Sequence, residues 1–262
     1  MPPYKQTAVK AAKEAAKILL KYFGNIKKIE YKTSKHDFVT VADKESEKKI
    51  IEIIKKRFPE HNFLGEESGT SNNSDKDSEF CWIIDPLDGT TNFSHAYPYF
   101  CISIALQKSK ETILGVIYNP ISKEMFVAEK GKGSFLNGKR INSSNKKKLI
   151  ECLISTGFWY DRGKIMDFNM QNMRNVMKRV QGVRRAGSAA LDLAYIACGR
   201  LDGHWEFNLK PWDTAAGALI IQEAGGKVTK GDGKIWNPFD RFMIATNGKI
   251  HKDLLRIINA DF

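Results

Sequence analysis

The 262-residue sequence lacks features that would place it among membrane, secreted or disulfide-rich proteins. No apolar run approaches the ~20 residues that a membrane helix needs. The N-terminus has no short apolar core before a small-residue cleavage site, so no signal peptide is predicted. The four cysteines are isolated and form no C-x-x-C pair, which favours a reducing cytoplasm over a disulfide framework. They are Cys81, Cys101, Cys152 and Cys198.

Motifs of several ligand-binding classes are also missing. The glycines of GKGSFLNG, residues 131–138, do not have the G-x-G-x-x-G spacing of a dinucleotide fingerprint. The five histidines are scattered without metal-ligand spacing. No stripe of aromatic residues alternates with basic ones, as a single-stranded nucleic-acid platform would require. These absences count against a dinucleotide enzyme, a histidine metal site and a nucleic-acid platform.

Acidic residues are the minority among the charged ones. There are 42 Lys and Arg against 30 Asp and Glu, a formal charge of +12. That balance is compatible with a nucleic-acid partner or with steering of an anionic substrate. The lysines are mostly dispersed, and residues 146–148 form the only lysine triplet. We therefore interpret most of the positive charge as a solvated, lysine-rich surface.

The pattern of apolar residues predicts helices and strands that alternate irregularly. Helices are predicted over 8–23, 44–58, 166–179, 188–198, 213–224 and 251–258. Strands are predicted over 79–84, 101–107, 112–118, 124–129, 149–155, 202–207, 226–229 and 242–246, with a hairpin over 134–141 around Asn137-Gly138. This order indicates a layered α/β fold. No linker or internal repeat is evident, so we expect a single domain of two fused halves, about 1–145 and 146–262.

The stretch WIIDPLDGTTNF, residues 82–93, carries the first chemical signal. Asp85 ends a buried strand, where Pro86 prevents the ladder from continuing. Asp88 follows three positions later, and Gly89-Thr90-Thr91 is typical of a helix entry, whose free N–H groups suit a phosphate. Hard carboxylate oxygens beside a phosphate favour Mg²⁺. Taken alone, the stretch could equally be a turn in which Asp88 caps a helix.

Further carboxylates occur in three other segments. Glu66 follows a short apolar stretch in FLGEESG, Asp213 opens a predicted helix in PWDTAAGALIIQEAGG, and Asp43 lies in VTVADKESE. Taken singly, Glu66 reads as an acidic turn, while Asp213 and Asp43 read as helix N-caps. Taken together, they strengthen the prediction of a carboxylate cluster.

The combination of GEES, W-x-x-D-P-L-D-G-T-T-N-F and W-D-x-A-A-G with E-A-G-G resembles the inositol monophosphatase family. The resemblance extends over essentially the whole chain, including RRAGSAALDLAY, and GRLDG followed by KPWD is similar to the bacterial branch. It implies an α-β-α-β-α sandwich of the sugar-phosphatase type. It also implies a Mg²⁺-dependent, lithium-sensitive phosphatase that hydrolyses inositol 1-phosphate, commonly as a homodimer.

The resemblance also implies roles for individual residues. Two or three Mg²⁺ are expected per site, and the matching ligands are Glu66, Asp85, the Leu87 carbonyl, Asp88 and Asp213. The catalytic positions are Glu66, Asp88 and the pair Thr90 and Asp43, the pair orienting the attacking water. The substrate-binding positions are Leu87, Asp88, Gly89, Thr90, Arg184, Gly187, Ser188, Ala189, Glu206 and Asp213. Without the resemblance, Ser188 would read as a helix cap and Arg184 and Glu206 as surface residues.

Other functions remain as alternatives. A haloacid dehalogenase-type phosphatase needs a D-x-D pair, but Asp85 and Asp88 are three positions apart. A nucleotide 3′-phosphatase or fructose bisphosphatase belongs to the same superfamily; the nucleotide enzymes tend to carry Lys where this chain has Thr91. Lys210 departs from the animal relatives and leaves the natural substrate open. Some bacterial relatives act in transcription complexes, so RNA polymerase or an RNA-associated factor is an alternative partner.

Overall fold

The computed structural model describes residues 3–25, 29–34, 37–71, 78–158 and 163–258. The first half begins with two helices and two short strands and then builds a large sheet. In chain order its elements are α1 (Tyr4–Tyr22), β1 (Ile29–Ser34), β2 (Asp37–Thr40), α2 (Val41–Arg57), β3 (Asn62–Gly65), β4 (Gly69–Ser71), β5 (Phe80–Asp88), α3 (Thr90–Ser94), β6 (Cys101–Lys108), β7 (Glu111–Asn119), β8 (Glu124–Glu129), β9 (Gly133–Leu136) and β10 (Lys139–Ile141).

The second half alternates strands and helices around a smaller sheet. In chain order its elements are a 3-10 turn (Leu149–Glu151), β11 (Leu153–Thr156), α4 (Lys164–Met177), β12 (Gly182–Arg184), α5 (Ala189–Ala197), β13 (Gly203–Phe207), α6 (Pro211–Glu223), β14 (Lys227–Lys230), β15 (Phe242–Thr246) and α7 (His251–Ile258). Within the described residues, no helix has both the length and the apolar composition of a membrane span.

Two sheets form the framework. The larger has eight strands in the order β10-β9-β8-β7-β6-β5-β3-β4, in which β3 and β5 are the parallel pair. The smaller has the order β12-β11-β13-β15-β14; its first three strands are parallel, and β15 is antiparallel to both of its neighbours. A separate two-stranded sheet pairs β1 with β2.

Helices separate and cover the two sheets. On β5, Trp82 and Ile84 lie in one apolar cluster with α1 and α2, and Ile83 lies in another with α5 and α6, because successive strand residues face opposite sides. Helices α5 and α6 therefore lie between the sheets, while α4 and α7 pack on the far face of the small sheet beside Trp205. This is the α-β-α-β-α arrangement expected from the sequence.

The end of β5 differs from the prediction. The strand does not stop at Asp85: Asp85 pairs with Ser103 and Asp88 pairs with Cys101, so the two residues between the aspartates on β5 oppose a single residue on β6. This irregularity is a bulge. A proline is tolerated at a bulge because its nitrogen, which carries no hydrogen, does not have to donate to the neighbouring strand. Pro86 therefore interrupts the ladder without ending the strand, and the bulge separates the two aspartates.

Several other boundaries also shift. Helix α6 begins at Pro211, so Asp213 lies in its first turn and is not its N-cap; α2 begins at Val41, so Asp43 likewise lies inside the helix. The first part of the predicted strand 149–155 is the 3-10 turn. The other predicted helices, the antiparallel run β6–β8 and the hairpin β9–β10 agree with the prediction within a few residues.

Candidate active site

Three carboxylates from distant segments meet at the carboxyl end of β5. One side-chain oxygen each of Asp85, Asp88 and Asp213 lies within 4.8 Å of the others. Asp85 and Asp88 stand on the two sides of the bulge, and Asp213 comes from the first turn of α6. Glu66 follows β3 and lines the same cavity; its backbone N–H donates to Ile84 O at 3.1 Å, which anchors it beside β5. The structure thus brings together all four carboxylates predicted as metal ligands.

Asp85 and Asp213 each use one oxygen to accept from a nearby backbone N–H group. Asp85 Oδ1 accepts from the Leu87 N–H at 2.9 Å across the bulge, and Asp213 Oδ2 accepts from the Lys210 N–H at 2.7 Å at the start of α6. Such bonds hold the carboxylates in place before any ligand binds, because their geometry is tied to the main chain.

Asp88 connects the large sheet to the start of α5. Its Oδ2 accepts from Ser188 Oγ at 2.6 Å and from the Ala190 N–H at 2.7 Å. Ser188 occupies the N-cap position of α5, but its side chain makes no capping bond within its own helix. The reading of Ser188 as an ordinary cap is therefore wrong: a carboxylate from β5 takes over that function.

The buried carboxylates of the cluster would be stabilised in their ionised form by a nearby positive charge. Burial, followed by the charges of Glu66, Asp88 and Asp213, raises the pKa of Asp85 well above its ordinary value. Burial likewise raises the pKa of Asp88 to about 7, and burial with the Asp88 and Glu66 charges raises that of Asp213. Hard oxygen donors that repel one another in a partly enclosed cavity fit a divalent cation such as Mg²⁺. The residues present therefore fit a metal site.

Thr90 and Asp43 form a hydrogen-bonded pair beside the cluster. Thr90 Oγ1 lies 3.3 Å from Asp43 Oδ1 and 3.1 Å from Leu87 O, so its single proton has two acceptors available. The buried Asp43 uses its other oxygen for α2, where Oδ2 accepts from the Thr40 N–H at 2.9 Å. One carboxylate thus links the start of α2 to the hydroxyl group of the site.

A cavity of about 310 Å³ opens in front of these groups. Gly89, at its rim, has φ +98, and an added Cβ would lie 3.0 Å from Tyr99 O, so the turn before α3 requires glycine here. Of the residues predicted to bind the substrate, those that line the cavity are Leu87, Asp88, Gly89, Thr90, Gly187, Ser188, Ala189, Glu206 and Asp213.

Arg184 is the exception among the predicted substrate contacts. It ends β12, its side chain is exposed, and its guanidinium donates to Val183 O at 3.1 Å. It is not part of the cavity wall, which includes Arg185 instead. Adjacent residues of an extended segment face opposite sides, so a shift of one position exchanges the residue that faces the cavity.

Several residues of the cavity were not predicted from the sequence. Asp192, Thr156, Gly157 and Phe158 also line the cavity. Asp192 could have been noticed, because it is a lone carboxylate within the apolar run AALDLAYIA of α5. The others come from the end of β11, and nothing in the local sequence marks them.

Comparison with known proteins identifies the family of the chain. The sequence model of the inositol monophosphatase family matches residues 2–260. An inositol-1-monophosphatase of Synechocystis sp. is 44% identical over 97% of this chain and 88% of its own. A putative Nus factor SuhB of Neisseria meningitidis serogroup B is 41% identical over 99% of both chains. The crystal structure of the extragenic suppressor protein suhB from Bartonella henselae superposes with a TM-score of 0.93 at 41% identity, covering 98% of this chain and 99% of that one. With the family model matching residues 2–260 and the fold in agreement, the chain belongs to the inositol monophosphatase family.

Proposed function

We propose that this protein is a Mg²⁺-dependent, lithium-sensitive phosphomonoesterase that hydrolyses inositol 1-phosphate to inositol and phosphate. The observation that carries the proposal is the convergence of Asp85, Asp88 and Asp213 within 4.8 Å at one cavity. The hydroxyl of Thr90 and the carboxylate of Glu206 line the same cavity. It therefore combines groups suited to a metal, a water molecule and a substrate hydroxyl.

The metal ligands follow from the donor set. Glu66, Asp85 and the Leu87 carbonyl would hold one Mg²⁺. Asp85, Asp88 and Asp213 would hold a second. When bound, such ions supply the positive charge that activates a water molecule and stabilises the leaving alkoxide. Without that charge, burial first and then the neighbouring carboxylates raise the pKa values of Asp85 and Asp213, so their ionised forms are disfavoured.

The protein's own groups orient the reactants. Because the Thr90 hydroxyl gives its proton to Asp43 or to Leu87 O, its lone pairs remain to accept a hydrogen bond from the attacking water. The backbone N–H groups of Gly89 and Thr90 would hold phosphate oxygens. Glu206 would accept a hydrogen bond from a hydroxyl group of the inositol ring, and Gly187 to Ala189 would lie against that ring.

A substrate panel tests this proposal. Purified protein is assayed with inositol 1-phosphate, 3′-phosphoadenosine 5′-phosphate and fructose 1,6-bisphosphate, in Mg²⁺ and after removal of metal with EDTA. We expect inositol 1-phosphate to have the highest kcat/KM and all activity to require the metal. A preference for the nucleotide would assign the protein to the nucleotide 3′-phosphatases, despite Thr91 where those enzymes tend to carry Lys.

A second candidate function is supported by the name of a relative. The Neisseria protein that is 41% identical over 99% of both chains has the name putative Nus factor SuhB. This chain would then bind RNA polymerase or an RNA-associated factor in the cytoplasm, alone or in addition to catalysis. Co-purification of RNA polymerase with the Asp88→Asn variant would separate the two functions, and light scattering on the purified protein would test the expected homodimer.

A further inference from the structure

Behind one wall of the cavity, a histidine is buried between two carboxylates. His204 and Glu206 lie two positions apart on β13 and so share one face of the strand, whereas Trp205 packs in the core on the other face. The His204 side chain is fully buried, and Asp192 approaches it from α5. Both carboxylates line the cavity, but His204 does not. The imidazole therefore lies directly behind two groups that a ligand would meet.

The two ring nitrogens have different partners. His204 Nδ1 lies 2.9 Å from Ser155 Oγ and 3.7 Å from Asp192 Oδ2, and Asp192 Oδ1 accepts from the Tyr99 hydroxyl at 2.7 Å. His204 Nε2 lies 3.2 Å from Glu206 Oε2, at ion-pair distance but without hydrogen-bond alignment. The link to Glu206 is thus one of charge.

The surrounding charges favour a protonated imidazole. Burial alone would lower the pKa of His204, but the carboxylates of Glu206 and Asp192, with a smaller contribution from Asp88, outweigh burial and raise that pKa above its ordinary value. Burial raises the pKa of Asp192 to about 6, against the opposing effects of His204 and Tyr99. An imidazolium here would compensate carboxylate charge that the cavity wall could otherwise hold only at a cost.

Gly157 leaves the space that the Glu206 carboxylate occupies. A Cβ at residue 157 would lie 1.9 Å from Glu206 Oε1 and 2.2 Å from Oε2, so the carboxylate occupies the space that glycine leaves open. The position of Gly157 is itself fixed, because its carbonyl accepts from Asn169 Nδ2 at 2.8 Å and Asn169 Oδ1 accepts from Trp205 Nε1 at 2.6 Å. Glu206 is therefore confined by His204, which lies outside the cavity lining, and by Gly157, which belongs to it.

From this arrangement we infer that His204 and Gly157 are positioning residues that hold the Glu206 carboxylate at the cavity wall as the acceptor for a hydroxyl group of the substrate's alcohol part. The pair would thereby give the enzyme its selectivity for polyol phosphates over phosphate esters without hydroxyl groups. The inference rests on the proposed phosphatase function, because it assumes that the alcohol part of the substrate lies against Glu206. It assigns a role to two residues that neither hold metal nor touch phosphate.

The first test compares two substrates in two variants. His204→Phe keeps a ring but removes both nitrogens, and Gly157→Ala places a methyl group where the Glu206 carboxylate lies. In each variant we expect KM for inositol 1-phosphate to rise roughly tenfold, the cost of one lost hydrogen bond to a charged group. In His204→Phe, whose side chain does not line the cavity, the kcat/KM for p-nitrophenyl phosphate, which has no free hydroxyl group, should stay within about twofold. Equal losses on both substrates would overturn the inference.

Two further variants separate positioning from stability. His204→Gln can place an amide N–H toward Glu206 and should recover much of the selectivity lost in His204→Phe. His251→Phe is the matched control: His251 is also a buried histidine with two hydrogen bonds, to Thr229 and Thr246 at 2.9 Å each, but it lies in α7 away from the cavity. It should lower the melting temperature without changing the ratio of the two substrates. If His251→Phe changes that ratio as much as His204→Phe, the effect is one of stability and the inference fails.

An NMR titration tests the link without any substrate. We expect the imidazole signals of His204 to titrate above the ordinary range in the wild-type protein and at lower pH in Glu206→Gln, where the neighbouring charge is gone. An unchanged midpoint would overturn the positioning role. If the midpoint shifts but inositol 1-phosphate is not hydrolysed, the proposed substrate is wrong. The selectivity assay is then repeated with whichever polyol phosphate is turned over, and an unchanged ratio in His204→Phe would refute the inference.

Discussion

Asp88 combines a structural and a chemical role in one side chain. It holds the start of α5 through Ser188 and Ala190, and it belongs to the cluster that fits a metal. Asp88→Asn keeps an oxygen that can accept from the Ala190 N–H but removes the charge. We expect roughly a 10²–10⁴-fold loss of kcat/KM for inositol 1-phosphate. In EDTA, the melting temperature should stay level or rise, because like-charge repulsion is relieved.

The control for this variant is Asp253→Asn. Asp253 lies on the exposed side of α7, 4.0 Å from Arg256, where loss of its charge should change neither activity nor stability measurably. Steady-state hydrolysis and thermal unfolding are measured on both variants. If Asp88→Asn retains activity within about threefold of the wild type, Asp88 is not a metal ligand.

Thr90 allows the role of a single hydroxyl group to be measured. Thr90→Val preserves the shape of the side chain and removes the group that donates to Asp43 or Leu87 O. Thr90→Ser preserves the hydroxyl. If the hydroxyl orients the attacking water, Thr90→Val should lower kcat by about 10²-fold, in the range of a lost catalytic hydrogen-bonding group. Thr90→Ser should stay within about fivefold, and similar losses in the two variants would assign the effect to packing.

At the scale of secondary-structure elements, the N-terminus of α2 connects stability to the site. Thr40 is the N-cap of α2; its side chain accepts from the Ala42 N–H at 3.2 Å and donates to Asp43 Oδ2. Thr40→Ala should cost about 1 kcal/mol of unfolding free energy, a few degrees in melting temperature. It should also lower kcat, because the carboxylate that holds Thr90 loses one of its anchors. Thr7→Ala, in the first turn of α1, is the control and should leave kcat unchanged.

How well each element could be predicted depended on its length and pattern. Helices such as α1, with buried alanines at helical spacing, and the antiparallel run β6–β8 were found from sequence because their periodic signal spans many residues. Strands β1, β3, β4 and β12 were missed, since three to six residues carry little periodic signal and their partners lie elsewhere in the chain. The bulge in β5 also depends on its pairing with β6.

The same distinction applies to the candidate site. The carboxylates of the cluster stand in short motifs, which is why the sequence indicated them through the resemblance to a known family. The group formed by Glu206, His204, Asp192 and Gly157 has no such motif. Its members come from β13, α5 and the end of β11 and meet only after folding. Arg184, which the resemblance indicated, does not line the cavity, because a sequence motif does not show which side of a short strand faces it.

At the scale of the whole molecule, the carboxylate cluster joins β5 of the large sheet to α6, which lies between the two sheets. Asp88 has a folded-state pKa of about 7, above its ordinary value, so the folded protein binds more protons than the unfolded chain between about pH 4 and 7. Its contribution to stability in the absence of metal is therefore fully present below pH 4 and is lost as the pH rises through 7. Burial lowers the pKa of His251 to about 4, so the effect of His251 is opposite: it makes the folded state more stable as the pH rises from about 4 to 6.5.

The measurable quantity is therefore the difference in melting temperature between the wild-type protein and Asp88→Asn, which share His251. In EDTA, the wild type should lose stability relative to the variant as the pH rises from 5 to 8, by an amount on the order of several degrees. Mg²⁺ at pH 8 should reverse that loss in the wild type, because a bound divalent cation compensates the carboxylate charge and binds only the folded state. The variant, with one ligand charge removed, should gain less. Thermal unfolding across this range of pH, with and without Mg²⁺, measures both effects. A difference independent of pH would show that Asp88 does not titrate in this range. Equal stabilisation of the two proteins by Mg²⁺ would show that Asp88 does not face the metal.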